Sequence, residues 1–126
     1  MATIKMTKDN IDETIKNNNM VLIDFWAEWC GPCRTFGPIF EQASEKYPDI
    51  AFAKVDTEAE RELASSFQIR SIPTLMIFRE QVIIFSQPGM LPEEALVELI
   101  EKAQALDMDA VRAEITKQQT EQQQQQ

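Results

Sequence analysis

An α/β fold is predicted by this sequence, because segments of strand character alternate with segments of helical spacing along nearly its whole length. A second observation agrees. MVLIDFW, residues 20 to 26, is an almost unbroken apolar run of strand length, the pattern of a strand covered on both faces. A third is the ordinary globular composition, with 44% hydrophobic and 26% charged residues in 126, which suits one domain with a core of its own.

The elements follow in order. TIKM is a short strand, and KDNIDETIKN a helix with Ile11 and Ile15 four apart on one face. MVLIDFW is the second strand, and its one anomaly is Asp24. FGPIFEQASEKY places Phe36, Ile39, Phe40 and Ala43 at helical spacing, with Pro38 inside, so a helix kinked at that proline is expected. IAFAKVD is a third strand and EAERELASSF a short helix. TLMIF, after Pro73, and QVIIFS are paired strands joined by a short turn at Arg79 and Glu80. PEEALVELIEKA opens with a proline in its first turn and turns Leu96, Leu99 and Ile100 inward. Residues 1–106 thus form the domain. Residues 107–126 form an extension: a short helix in DMDAVRAEITK with a stripe of Met108, Val111 and Ile115, then a glutamine-rich tail expected to be mobile from residue 122. That stripe could pack on its own domain, on a second copy or on another protein.

Charge and targeting signals narrow the function. The net charge of −9 argues against a nucleic-acid binder, which would gather Lys and Arg on one face. No segment has the pattern of a signal peptide or the roughly 20 apolar residues of a membrane span. A cytoplasmic location is therefore expected.

The chemistry is concentrated in WAEWCGPCR, which holds the only two cysteines, Cys30 and Cys33. In a reducing compartment such a pair is more often redox-active or metal-binding than structural. Zinc requires four ligands, and with no histidine the chain supplies two cysteines, so a site would need carboxylates or a second molecule. A purely structural disulfide across so short a turn would constrain little of the unfolded chain. A redox-active dithiol is the stronger reading. At a strand-to-helix junction Cys30 would sit at the helix N-terminus, where free N–H groups and the helix dipole favour the nucleophilic thiolate. Cys33, one turn on and expected to be better shielded, would resolve the intermediate. Pro32 is tolerated in the first turn and stiffens the ring that the sulfurs close. Asp24 would be desolvated inside its apolar run, with a raised pKa, and could take a proton from Cys33.

WAEWCGPC, the preceding LIDF, the later SIPTLMIF and the PG at 88 to 89 together resemble the thioredoxin family over residues 3 to 105. The resemblance implies a central mixed sheet with helices on both faces and the dithiol at the end of the second strand. It implies a protein-disulfide reductant without bound cofactor or metal, acting on disulfide-containing proteins and re-reduced by an NADPH-dependent thioredoxin reductase. It also assigns roles. Cys30, Cys33 and Asp24 are catalytic. Trp29, Gly31, Pro32, Ile72, Pro73 and Gly89 would form the substrate surface, and Trp26 and Lys54 are accessory. Pro73 resembles a cis-proline that leaves the Ile72 backbone free to pair with an extended substrate; a trans-proline opening a strand is the plainer alternative. Departures from the pattern are Ser71 before Ile-Pro-Thr, Arg34 after the second cysteine, Pro88 and Met90 around Gly89, and a hairpin lacking Asn-Gly. A second reading is a thioredoxin-fold adaptor or holdase whose tail recruits partners and whose dithiol is only a redox switch; self-association through the extension is a separate expectation.

Overall fold

The structure, a computed structural model, describes residues 2–124. Its order is β1 (Thr3–Lys5), α1 (Ile11–Asn17), β2 (Met20–Trp26), α2 (Gly31–Lys46), β3 (Ala51–Asp56), α3 (Arg61–Ser66), β4 (Thr74–Arg79), β5 (Val82–Pro88), α4 (Glu93–Gln104) and α5 (Met108–Gln124). The strands form one mixed sheet in the order β1-β3-β2-β4-β5. β1, β3 and β2 run parallel, whereas β4 and β5 run antiparallel to their neighbours.

Strand alternation decides which face each residue serves. From β2, Met20 and Leu22 join Phe52, Leu75 and Ile77 beneath Phe36, Phe40 and Ala43 of α2 and Leu96, Ile100 and Ala103 of α4. Val21, Ile23 and Phe25 point the other way, to Ala53, Val55 and Met76 under Ile11 of α1 and Leu63 of α3. The run MVLIDFW is apolar throughout because both of its faces are covered, and β2 is buried from Met20 to Phe25. By the same parity Asp24 follows Leu22 onto the α2 and α4 face.

α2 continues through Pro38 from Gly31 to Lys46. Pro38 has no N–H to offer the Arg34 carbonyl, and Gly37, lacking a Cβ, relieves the clash that a side chain before proline brings. The β4–β5 turn lies one residue later than expected, at Glu80 and Gln81. Their φ values of 50° and 68° are both left-handed, the backbone of a tight hairpin that usually selects Asn-Gly. Arg79 fastens this corner by donating to the carbonyls of Ala103 (2.7 Å) and Leu106 (3.1 Å) at the end of α4.

α5 is longer than the short helix expected, because it runs on through the first glutamines to Gln124. Residues 125 and 126 of the expected mobile tail lie outside the described residues. Asp107 caps the helix by accepting from the N–H groups of Asp109 (3.1 Å) and Ala110 (3.2 Å). Of its three-residue stripe Met108 is buried and Val111 and Ile115 are half-buried, so the stripe faces the helix's own domain. Arg112 reaches Glu80 of the hairpin at 2.7 Å. This holds α5 at the Arg79 end of β4, roughly 20 Å along the strand from Thr74.

Candidate functional site

The site forms where β2 ends and α2 begins, at the carboxyl edge of the sheet, the usual place for a site in an open α/β fold. Cys30 is the N-cap residue of α2: its backbone is extended, and its Sγ accepts from the Cys33 N–H at 3.2 Å. Sulfur therefore occupies the position where a helix presents unpaired donors and the positive end of its dipole. The two cysteines are joined as a disulfide, with Cα atoms 5.2 Å apart. Cys33 is not the better shielded of the two, because the exposures are 4% for Cys30 and 5% for Cys33. The two cysteines and Ala27 form one small buried cluster, against which Trp26 and Ile72 pack. What distinguishes the cysteines is the cap position, which Cys30 alone holds. Gly31 and Pro32 between them are exposed.

Across from the pair, the Ile72–Pro73 peptide bond is cis, as the resemblance implies. The Ile72 carbonyl oxygen lies 3.7 Å from Cys30 Sγ, and the residue stands just before β4 begins. Gly89 donates its N–H to the Pro73 carbonyl at 2.8 Å, with φ of 102°, a backbone that strongly favours glycine. A Cβ at Gly89 would meet nothing within 4 Å, so conformation rather than crowding requires the glycine there.

Trp29 is 65% exposed, beside the cysteines rather than in the core. Its indole N–H donates to Glu58 Oε1 at 2.9 Å, and Glu58 is paired in turn with Arg61. These contacts hold the Glu58 carboxyl below its ordinary pKa, the Trp29 hydrogen bond first among the causes and Arg61 second. Arg34 is drawn back across the loop, its Nε donating to the Glu28 carbonyl at 3.1 Å.

Asp24 is fully buried, and neither carboxylate oxygen has a hydrogen-bond partner among the described residues. Burial pushes its pKa up to about 7, and Lys54 opposes the shift without cancelling it. Lys54 is its register partner on β3, with the ammonium 5.0 Å from the centre of the Trp26 ring. An open groove of about 360 Å³ runs past Cys33, Trp26 and Lys54.

The expected site residues thus form three neighbouring groups: the capped disulfide, the Ile72–Pro73–Gly89 wall, and the buried Asp24 beside Lys54 and Trp26. Sequence reasoning missed Ala27, Glu58 and Glu41. Ala27 is adjacent to Trp26 and could have been found. Glu58 and Glu41 carry no local signal, because each is defined by a contact distant along the chain. Among the described residues no group of three or more His, Cys, Asp and Glu is placed to hold a metal ion.

Known proteins place this arrangement in a family. The family model described as Thioredoxin matches residues 2–102. A curated relative named Putative thioredoxin 2, from Streptomyces coelicolor, is 58% identical over 120 residues, covering 95% of this chain and 90% of its own. A match of that extent must reach into α5. A thioredoxin of Mycoplasmoides gallisepticum is 39% identical over 93 residues, 74% of this chain and 93% of its own. Among solved structures, a mutant thioredoxin from Halobacterium salinarum superposes with a TM-score of 0.76 at 35% identity, over 82% of this chain and 91% of that one. Plasmodium falciparum thioredoxin gives 0.72 at 34%, over 79% and 97%. Sequence identity and superposition converge on the domain that carries the Cys30–Cys33 pair, and the chain belongs to the thioredoxin family of thiol-disulfide oxidoreductases.

Proposed function

We propose that this protein reduces disulfides in other proteins, with Cys30 as nucleophile, Cys33 as resolving thiol and Asp24 as the base that serves Cys33. The observation that carries the reading is the capping geometry: Cys30 Sγ accepts the Cys33 N–H at the N-terminus of α2. In the reduced protein that environment favours a Cys30 thiolate. The thiolate attacks one sulfur of a substrate disulfide, forming a mixed disulfide and releasing the other sulfur as thiolate. Cys33 gives its proton to Asp24 and attacks Cys30 Sγ, which releases the second substrate sulfur. Two electrons pass from the dithiol to the substrate, and the protein is left with the Cys30–Cys33 disulfide. Release of the proton from Asp24 and reduction by a flavin-dependent thioredoxin reductase, drawing on NADPH, close the cycle.

The wall opposite the sulfurs suits an extended substrate strand. Ile72 offers its backbone just before β4, Gly89 turns the adjoining loop and ties it to Pro73, and the exposed Trp29 ring, held by Glu58, adds an apolar contact beside the nucleophile. Gly31 and Pro32, between the two cysteines, are exposed as well. The cytoplasm is the compartment where a reductant of this kind would act, and no helix among the described residues is long and apolar enough to cross a membrane.

The test is reduction of insulin disulfides, driven by NADPH and a thioredoxin reductase. Turnover that depends on all components is expected, and a folded protein that produces none would remove the reading. The alternative of an adaptor with a decorative dithiol gains no support from the fold, since α5 is fastened at the opposite end of β4 from the sulfurs.

That placement gives a further prediction. Truncation after Ala105 removes the buried Met108, the Arg112–Glu80 pair and the Leu106 carbonyl that Arg79 holds, so stability should fall by about 2 kcal/mol. Insulin reduction at a temperature where the truncated chain is folded should be unchanged. A folded truncation that loses activity would show that α5 helps to build the site.

A further inference from the structure

The groove beside Cys33 is lined by four charged residues, Glu28, Arg34, Glu41 and Lys54, that the exchange chemistry leaves without a role. Lys54 makes no ion pair among the described residues; its ammonium rests near the Trp26 ring. Glu41 lies on α2, two turns beyond Cys33. Its Oε1 accepts from the Thr3 hydroxyl at 2.5 Å, tying α2 to β1, while Oε2 is buried and has no partner. A carboxylate oxygen left in that state costs free energy, and a cation sharing its groove offsets the cost by moving toward it. Lys54 Nζ lies against α2 one turn before Glu41: a Cβ at Gly37 would stand 3.7 Å from it, in ordinary contact.

We propose that Glu41 is a positioning residue for the proton transfer at Asp24: its charge draws the Lys54 ammonium toward the groove and so sets how strongly that ammonium favours the Asp24 carboxylate. The inference rests on the proposed role of Asp24 as base. The charged and titratable groups concerned are few. Asp24 has Lys54 opposite it on β3 and Leu75 opposite it on β4; the apolar Leu96 and Ile100 of α4 lie on the same face, and Cys33 is buried on α2 one turn before Phe36, which packs there too. Glu41 meets Thr3 from β1 and shares the groove with Lys54, Arg34 and Glu28. Arg34 is held back by the Glu28 carbonyl, which leaves Lys54 as the cation able to respond. A cation drawn away from Asp24 leaves it holding its proton to higher pH, and a cation released toward it does the reverse.

The test is the carboxyl ¹³C shift of Asp24 followed against pH in the oxidised protein, where neither cysteine titrates. Glu41→Gln, which still accepts from Thr3, should lower the titration midpoint by about half a unit. Glu41→Asp should retain most of the wild-type midpoint, and Thr3→Val, which removes the hydrogen bond but not the charge, should leave it in place. In a Lys54→Met background the Glu41→Gln shift should shrink to less than half. In the reduced protein the pH profile of mixed-disulfide resolution should move with the midpoint. An unchanged midpoint in Glu41→Gln would overturn the proposal, as would an equal shift in Thr3→Val or a full shift persisting without Lys54. The titration needs no turnover, so inactivity of the wild-type protein toward insulin would remove the reductase reading separately.

Discussion

Cys33→Ser is expected to attack protein disulfides and then fail to release them, so that a mixed disulfide accumulates through Cys30. Insulin reduction should fall to the level of the reaction without the protein. Cys30→Ser should be equally inactive and form no such adduct. The asymmetry rests on position, because the two residues are buried alike at 4% and 5% exposed. Cys30 caps α2 and receives the Cys33 N–H at 3.2 Å, which stabilises a negative sulfur there. It also lies 3.7 Å from the Ile72 carbonyl oxygen, on the wall proposed for the substrate strand. Cys33 lines the groove on the other side, near Lys54. Mass spectrometry of each variant after exposure to an oxidised protein substrate measures the outcome. Adducts confined to the Cys30→Ser variant would reverse the assignment.

Much of the fold could be read from the sequence because its strongest signals have physical causes that tertiary contacts do not override. The apolar run of β2 required cover on both faces, and the spacing in α2 and α4 chose the side chains that provide it. Asp24 was visible for the same reason, as a carboxylate where period-two alternation leads into a core. The dithiol needed only local chemistry, two cysteines three apart at a strand-to-helix junction. What escaped depended on contacts across the chain. Glu58 belongs to the site because Trp29, 29 residues earlier, donates to it, and Glu41 because Thr3, 38 residues earlier, reaches its other oxygen. The relative shielding of the cysteines was misjudged because it depends on Ile72 and Trp26 packing against the cluster that holds both, which helical position alone does not reveal. The extent of α5 was misjudged at its far end, where the apolar stripe stops at Ile115 and the helix continues as a polar segment.

Asp24→Asn should stabilise the oxidised protein by an amount that grows with pH. The Asp24 carboxyl titrates near pH 7 when folded, against an ordinary value of 3.8. Between these limits the folded chain keeps a proton that the unfolded chain has lost, so its binding favours the folded state less and less as pH rises. Stability from this group is thus fully present below about pH 4, declines through the interval, and is gone above about pH 7. The whole shift corresponds to roughly 4 kcal/mol. Asn does not titrate, so its advantage over wild type should grow by about 4 kcal/mol between pH 4 and pH 8, the unpartnered buried amide subtracting the same cost at both pH values. Titrations common to both proteins cancel in the difference. Denaturant midpoints at the two pH values measure it. The same substitution removes the group proposed to accept the Cys33 proton. Resolution of a mixed disulfide near neutral pH should therefore slow by roughly 10- to 100-fold, while attack by Cys30 changes much less. A stability difference that is flat with pH would mean that Asp24 is paired or hydrated. An Asn variant that gains stability as described but resolves at the wild-type rate would keep the buried carboxyl and remove it from the mechanism.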